Sequence, residues 1–430
     1  MRTVLHKKIH DPQAFKQQLV HWSQSFREKA FLDSNNYGTK YHTYDCVLAA
    51  EAFISLKTDY HEAFDDLRQL HETTRDWLFG YLSYDLKNDT EKLTSQNFDG
   101  LHFSDMYFFQ PKKLFLLKGN ELEIAYLHLC DDEMEDDFKA ILNTRTNLSH
   151  EESRLRIRQR ISQKDYLKKV ERMQQYIHRG DIYEANFCME FYAEDAQINP
   201  LETYCRLNAI SEPPFSAYFR NGNDYLMCAS PERYLKKQHH KIISQPIKGT
   251  AKRSDDKVED GRIKARLAAN QKERSENIMI VDLVRNDLSK TAAKGSVHVE
   301  ELCGEYTFRQ VHHLISTVVS ELGQNQTAVK VLKTTFPMGS MTGAPKISAM
   351  KIIEELEETK RGLYSGALGY FTPEGDFDFN VVIRSILYNS ESKYVSFSVG
   401  SAITALSNPL LEYEECLVKA VAMRRVLERE

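Results

Sequence analysis

The most regular pattern of apolar and polar positions in the chain follows Ser162. Apolar residues then recur every three or four positions, at Tyr166, Val170, Met173 and Ile177. This spacing is typical of an amphipathic helix. Ser162 and Asp165 resemble a capping box and Gly180 is a preferred helix stop, so we predict one helix between Ser162 and Gly180.

Two short apolar runs further along the chain predict buried strands. Leu226–Ala229 ends before Pro231, and Ile242–Ile243 begins a second strand. We expect the second strand to run into a turn over Pro246–Thr250, because Pro and Gly often interrupt regular structure.

The chain divides by composition at about residue 150. The first 150 residues mix aromatic-rich runs with polar turns, whereas strands and long helices alternate in the remainder. A polar, Arg-rich stretch over residues 147–160 is the candidate connection. We therefore predict an N-terminal region over residues 1–150 and a second domain over residues 155–430, in which the candidate catalytic residues described below lie.

Composition narrows the class of function. The 430 residues are 41% hydrophobic and 28% charged with a net charge of -5, which is typical of a globular protein of one large or two ordinary domains. The absence of a basic block argues against nucleic acid as a partner. No apolar run reaches the roughly 18 residues of a membrane span and no signal-peptide pattern opens the chain, so we expect a cytoplasmic protein without a membrane partner.

The cysteines do not predict a metal or disulfide framework. The seven are scattered and never spaced as Cys-x-x-Cys, so most are expected to be small core residues. Cys416 could be a nucleophile, but no Gly-rich elbow or adjacent His supports that interpretation.

Two pairs of glutamates are the first candidate chemistry. Glu273 and Glu276, like Glu412 and Glu415, stand at i and i+3 in helical patterns, which places each pair on one helix face. Facing pairs of carboxylates would suit Mg²⁺, a hard cation that prefers oxygen ligands. The alternative is two solvated helix faces, since charged residues are usually exposed.

Lys248 and Glu232 are the second candidate. Lys248 lies between Ile247 and Gly249 after an apolar strand, where burial or a nearby cation would lower the pKa of its amine and make it a nucleophile. The alternative is a strand-end lysine that extends into solvent. Glu232, after Ser230-Pro231, could be a general acid or a polar turn residue.

Together these segments resemble the chorismate-binding enzymes, which include anthranilate, aminodeoxychorismate, isochorismate and salicylate synthases. The resemblance runs in order from about Ser162 to Leu427. It rests on Gly180–Tyr183, Ala229–Arg233, Pro246–Thr250, Val281–Leu288, Met341–Lys346, Arg361–Gly366, Val382–Ser385 and Glu412–Glu415. The resemblance implies an α+β fold in which the N-terminal region is interleaved with the rest into two large antiparallel sheets, packed together with helices outside and the site between them.

Two positions distinguish the branches of this family. Lys before Gly-Thr, here Lys248, is similar to the aminodeoxychorismate synthase branch, whereas Ala would be similar to anthranilate synthase. Glu184 stands where isochorismate and salicylate synthases carry a lysine base and where the other branches commonly have Gln. The resemblance thus implies amination of chorismate at C4 on the route to p-aminobenzoate and folate, with Lys248 attacking C2 and Glu232 protonating the departing hydroxyl.

The resemblance also implies substrate and metal contacts, residue by residue. Glu273, Glu276, Glu412 and Glu415 would form the Mg²⁺ shell. Arg384 and Tyr364 would bind the enolpyruvyl carboxylate, Thr342 and Gly343 would form a polar wall, His313 would lie close to the ring, and Gly400 would belong to a carboxylate loop. That loop reads Gly400-Ser401-Ala402 here, so the third glycine of the family's loop is replaced. A purely structural role for His313 is the alternative.

The resemblance implies ammonia as the second substrate. The chain carries no recognisable glutamine amidotransferase motif, so a separate amidotransferase subunit is expected as the partner. The nearest alternative is anthranilate synthase component I, and a more remote one is a non-catalytic subunit that binds chorismate or tryptophan.

Overall fold

The fold combines long antiparallel strands with helices on the outside, in an α+β arrangement. A computed structural model describes residues 1–38, 40–146, 155–309 and 311–428. The strands in these residues are β1 Arg2–Lys8, β2 Glu28–Asp33, β3 Cys46–Thr58, β4 Leu78–Leu82, β5 Met106–Lys118, β6 Glu121–Leu127, β7 Arg158–Gln159, β8 Glu184–Ala193, β9 Phe215–Asn221, β10 Asp224–Ser230, β11 Arg233–Gln238, β12 Lys241–Gln245, β13 Ile247–Lys252, β14 His298–Thr307, β15 Val311–Glu321, β16 Gly343–Ala344, β17 Ala367–Phe371, β18 Phe377–Val381, β19 Ser385–Asn389 and β20 Tyr394–Ile403. The α-helices are α1 Pro12–Trp22, α2 Ala63–Thr74, α3 Lys87–Thr90, α4 Met134–Leu142, α5 Gln163–Arg179, α6 Pro200–Ser211, α7 Lys257–Ala269, α8 Gln271–Ser289, α9 Ala328–Thr335, α10 Lys346–Leu356 and α11 Pro409–Glu428.

Strand β5 joins two large sheets. Along one edge it pairs with β3, from which the first sheet continues through β2, β9, β10, β19, β20 and β8. Its other edge is divided between β6 and β4, and from β4 the second sheet continues through β17, β18, β11, β12 and β15. Both β13 and β14 then pair with β15. These pairings are all antiparallel, which confirms the predicted fold class.

Strands from the first 150 residues lie between strands from the rest of the chain. Strand β2 pairs with β9, and β4 pairs with β17. The division at about residue 150 stays a prediction. Most of the connection predicted over 147–160 lies outside the described residues, since the description resumes at residue 155.

Aromatic side chains fill the space between the two sheets. The ring of Phe219 on β9 lies 5.6 Å from that of Tyr81 on β4 and 6.4 Å from that of Phe109 on β5, measured between centroids. A second apolar cluster joins the first sheet to its outer helices, where Tyr166 of α5 contacts Phe187 of β8 with the ring centroids 5.2 Å apart. Such packing anchors the strands and helices that carry the candidate site.

The local sequence signals for α5 and two strands are confirmed. The Ser162 hydroxyl accepts a hydrogen bond from the backbone N–H of Asp165 at 3.2 Å, and Gly180 ends the helix with φ at +88°. The run Leu226–Ala229 lies within β10, and Ile242–Ile243 lies within β12.

The turn predicted over Pro246–Thr250 is wrong. Ile247–Lys252 form strand β13, which pairs with β15. A register shift between Lys248 and Thr250 accommodates Gly249, whose φ is +84°. The Pro that indicated a turn therefore lies just before a strand, and the Gly forms a bulge within that strand.

Within the described ranges, no helix is long and apolar enough to cross a membrane.

Candidate active site

A cleft of about 810 Å³ brings together most of the predicted site residues. Strands β13, β15 and β20 and helices α8 and α11 contribute to its wall. Ten predicted residues line it: Glu232, Lys248, Glu273, Glu276, His313, Tyr364, Arg384, Gly400, Glu412 and Glu415. The topology thus collects side chains that are up to 183 residues apart in sequence, from Glu232 to Glu415, into one concave site.

Lys248 is held in the cleft by an ion pair. The bulge at Gly249 shifts the register of β13, and the Lys248 side chain is only 11% exposed. Its Nζ donates a hydrogen bond of 2.8 Å to Oε1 of Glu184, the first residue of β8. The alternative of a strand-end lysine in solvent therefore does not describe this side chain.

The protonation state of Lys248 differs from the predicted one. Burial lowers the pKa of its amine, but the charges of Glu184, Glu276 and Glu232 outweigh that effect and raise the pKa above its usual value. The expectation of a lowered pKa was wrong because the sequence did not show that three carboxylates face this nitrogen. Lys248 is an ammonium group at neutral pH.

Glu232 has the properties of a general acid. It lies between β10 and β11 and is 4% exposed. Burial raises the pKa of its carboxyl to about 7, while a hydrogen bond with Ser340 and the charge of Lys248 partly oppose this shift. The raised pKa favours a protonated Glu232 carboxyl close to neutral pH, in the cleft that also holds Lys248.

The two predicted glutamate pairs come from helices α8 and α11. The side chain of Asn270 caps α8 by accepting hydrogen bonds from two backbone N–H groups, and Asn408 does the same at the start of α11. These caps fix where each helix begins. We call the four side chains the four-glutamate cluster: Glu273, Glu276, Glu412 and Glu415.

Two lysines neutralise part of this cluster. Lys272 Nζ lies 3.7 Å from Oε1 of Glu276 and 3.6 Å from Oε1 of Glu412. Lys419 pairs with Glu415 at 2.6 Å. Burial raises the pKa of Glu276 to about 7, which shows that its charge remains incompletely compensated.

The cluster has the donor chemistry of a magnesium site. Its eight carboxylate oxygens are hard ligands, and Oε1 of Glu276 is buried without a hydrogen bond in the described part of the chain. No group of three or more His, Cys, Asp or Glu side chains among the described residues is close enough to hold a metal ion as arranged. The four carboxylates are the type of ligand that Mg²⁺ prefers, and the ammonium group of Lys272 lies between the two glutamate pairs.

Three further predicted residues form a polar end of the cleft. The Arg384 guanidinium has no hydrogen bond or ion pair within the described ranges, and burial lowers its pKa. Tyr364 is buried with its hydroxyl 3.7 Å from Sγ of Cys188. Burial and the charge of Arg384 lower the pKa of His313 to about 3, so its imidazole is neutral. His313 Nδ1 also hydrogen-bonds with Oγ1 of Thr250 at 2.9 Å.

The remaining predicted residues have structural contacts. A Cβ on Gly400 would lie 2.6 Å from Sγ of Cys188, so close strand packing requires glycine there. Thr342 and Gly343 do not line the cleft. The Thr342 hydroxyl donates to the carbonyl of Met338, and Gly343 pairs with β8 behind Glu184. Their predicted contact with substrate stays untested.

Cys416 is not an activated nucleophile. It is a fully buried residue of α11, and burial raises the pKa of its thiol to about 11. Five of the other six cysteines are also buried, as expected for core residues.

Three charged residues of the site were missed as functional candidates. Lys272 stands four residues before Glu276, and Lys419 stands four residues after Glu415. That i, i+4 spacing is a usable sequence signal for an ion pair. The pairing of Glu184 with Lys248 spans 64 residues and left no local signal.

Comparisons with known proteins identify the family and the fold. Residues 22–425 match the chorismate binding enzyme family. The anthranilate synthase component I-like protein of Synechocystis sp. is 36% identical over 82% of this chain and 72% of its own length. The aminodeoxychorismate synthase component 1 of Bacillus subtilis is 32% identical over 87% of this chain and 80% of its own length. The crystal structure of anthranilate synthase component I from Streptococcus pneumoniae superposes with a TM-score of 0.78 at 25% identity, over 91% of this chain and 95% of that one.

The fold and the cleft therefore define an enzyme with an anthranilate synthase-like architecture. The chain belongs to the family of chorismate-binding enzymes.

Proposed function

We propose that the chain is the chorismate-aminating component of an aminodeoxychorismate synthase. It would convert chorismate and ammonia to 4-amino-4-deoxychorismate, with glutamine-derived ammonia supplied by a separate amidotransferase subunit. The name of the Bacillus subtilis relative supports both the activity and the existence of another component. The observation that carries the proposal is the cleft in which the Lys248 amine faces a buried, partly protonated Glu232.

The chemistry needs a neutral amine at Lys248. The ammonium group must lose a proton before its nitrogen can attack the substrate. Oε1 of Glu184 lies 2.8 Å from Nζ and is placed to accept that proton. The Lys248 amine then bonds to C2, the two conjugated ring double bonds shift towards C4, and the C4 hydroxyl leaves as water with the proton of Glu232. Ammonia enters at C4 and gives a proton back to Glu232, the two double bonds shift back, and the bond from C2 to Lys248 breaks. The released Lys248 amine takes back the proton that Glu184 accepted. The overall products are the C4 amine and water.

The other cleft residues orient the substrate. Arg384, whose guanidinium has no ion-pair partner among the described residues, would bind one carboxylate of chorismate, with Tyr364 beside it. Mg²⁺ held by the four-glutamate cluster would supply positive charge for the other carboxylate. Neutral His313 could donate or accept one hydrogen bond at the ring, but it adds no charge. Correct placement of the reacting atoms accounts for much of the rate that such a site can provide.

Anthranilate synthase component I is the second candidate. The Synechocystis relative is named an anthranilate synthase component I-like protein and has the higher identity of the two relatives described above, 36% against 32%. Lys248 argues against it, because an amine bonded to C2 blocks the carbon at which anthranilate synthesis begins.

Product identification separates the two activities. Purified chain is incubated with chorismate, Mg²⁺ and ammonium, and the products are resolved by liquid chromatography and mass spectrometry. We expect 4-amino-4-deoxychorismate, which retains the enolpyruvyl group. Formation of anthranilate and pyruvate would contradict the proposal and establish the alternative.

A further inference from the structure

One lysine lies between the two halves of the four-glutamate cluster. Lys272 is the second residue of α8, two positions after the Asn270 cap. Its Nζ lies within 3.7 Å of Glu276, on its own helix, and within 3.6 Å of Glu412, on α11. A single ammonium group therefore contacts one carboxylate from each pair.

The position of this ammonium group has a simple electrostatic reason. Four carboxylates from two helices converge on the cleft, and like charges at this range repel one another. Lys419 contacts only one member of the cluster in the described part of the chain, Glu415, and also donates to the carbonyl of Gly400. Among the described residues, Lys272 is the lysine with a carboxylate of each helix within 4 Å, so its charge acts between the helices as well as within one of them.

We infer that Lys272 is a built-in counter-ion of the four-glutamate cluster, which a divalent metal must displace in order to bind. The inference rests on the proposed metal site. When a metal ion binds, the carboxylates exchange the ammonium group of Lys272 for the metal ion. Lys272 therefore weakens metal binding and holds α8 and α11 together when metal is absent.

The side chain is suited to such an exchange. The Lys272 side chain is 48% exposed, whereas those of Glu276 and Glu412 are 13% and 5% exposed. The lysine can therefore move into solvent without leaving a cavity, while the carboxylates stay in place. Because partly exposed ion pairs are individually weak, we expect its removal to tighten metal binding by about three- to tenfold.

The test is a direct metal-binding measurement that does not depend on turnover. Mn²⁺ serves as the probe, and free Mn²⁺ is measured by electron paramagnetic resonance at pH 8 with the full-length chain. Lys272→Met removes the charge and keeps the apolar stem, and Lys272→Arg keeps a positive charge. Lys164→Met is the matched control, because Lys164 is also the second residue of a capped helix and is exposed away from the cleft.

The inference predicts that Lys272→Met lowers the Kd for Mn²⁺ by three- to tenfold. Lys272→Arg should stay within about twofold of the wild type, and Lys164→Met should be unchanged. If the wild type binds Mn²⁺ and Lys272→Met binds it equally well, or if Lys164→Met tightens binding to the same extent, the inference is overturned while the metal site stands. If neither the wild type nor Lys272→Met binds Mn²⁺, the proposed metal site fails and the inference fails with it.

Discussion

Glu232 offers a test in which activity and stability should change in opposite directions. Glu232→Gln keeps the size and hydrogen-bonding capacity of the side chain but removes its ability to donate a proton to a leaving group. General acid catalysis typically contributes about 10²- to 10⁴-fold in rate. We expect kcat to decrease by a factor in that range, while the KM for chorismate changes little.

The same substitution should stabilise the folded protein at alkaline pH. Burial raises the pKa of Glu232 from 4.5 to about 7 in the folded state, whereas the unfolded chain has the ordinary value. Folding therefore favours the protonated form. This stability is fully present below about pH 4.5 and is lost as the pH rises to 7. A shift of this size corresponds to about 3 kcal/mol. Because Gln never ionises, the variant should gain about 1–3 kcal/mol over the wild type at pH 8 and much less at pH 5.

Urea unfolding followed by fluorescence at pH 5 and pH 8, alongside steady-state turnover at pH 8, measures both effects. Glu414→Gln is the matched control, since Glu414 is exposed on α11 and does not line the cleft. A Glu232→Gln variant that is destabilised at pH 8, or one that keeps wild-type kcat, would refute the reasoning that connects burial, protonation and catalysis.

Three further expectations follow from the site and the core. Glu276→Gln and Glu415→Gln should each abolish Mg²⁺-dependent turnover without loss of circular dichroism signal, and wild-type rates in EDTA or in both variants would remove the metal assignment. The purified chain should use ammonium but not glutamine until an amidotransferase subunit is added; glutamine-driven turnover by the chain alone, assayed by product formation, would contradict this. Lys29→Met should raise the free energy of unfolding at pH 7 by about 1–4 kcal/mol, because burial lowers the pKa of that amine to about 6 and folding must remove its proton. The gain should shrink towards pH 10 in urea titrations, and a destabilised variant at pH 7 would show that the lost hydrogen bond to the Ser23 carbonyl outweighs the charge.

Local physics made parts of the fold predictable. Ser162 and Gly180 act on neighbouring backbone groups, so the helix between them could be located from the sequence. The i, i+3 spacing likewise placed each glutamate pair on one helix face, although it did not show that the two helices face one cleft. That arrangement depends on the packing of α8 and α11 around the sheets.

Long-range pairing explains what could not be predicted. Pro246–Thr250 was assigned to a turn because the sequence does not show that β15 is available to pair with it. The raised pKa of Lys248 has the same origin, since Glu184 reaches it from another strand across 64 residues. In the sequence, Glu184 served only to distinguish branches of the family. In the structure it is the ion-pair partner of Lys248, the proposed nucleophile.

The central claim is that Lys248 forms the covalent bond to substrate, and trapping that bond tests it most directly. Wild-type chain is incubated with chorismate and Mg²⁺ at pH 8.5 without ammonia, then digested and searched by mass spectrometry for an adduct on the Lys248 peptide. The Lys248→Ala variant is analysed in parallel, and any amination that it retains should move from C4 to C2. We predict an adduct in the wild type that disappears when ammonium is added. Absence of any adduct, together with wild-type rates of 4-amino-4-deoxychorismate formation by Lys248→Ala, would contradict the account.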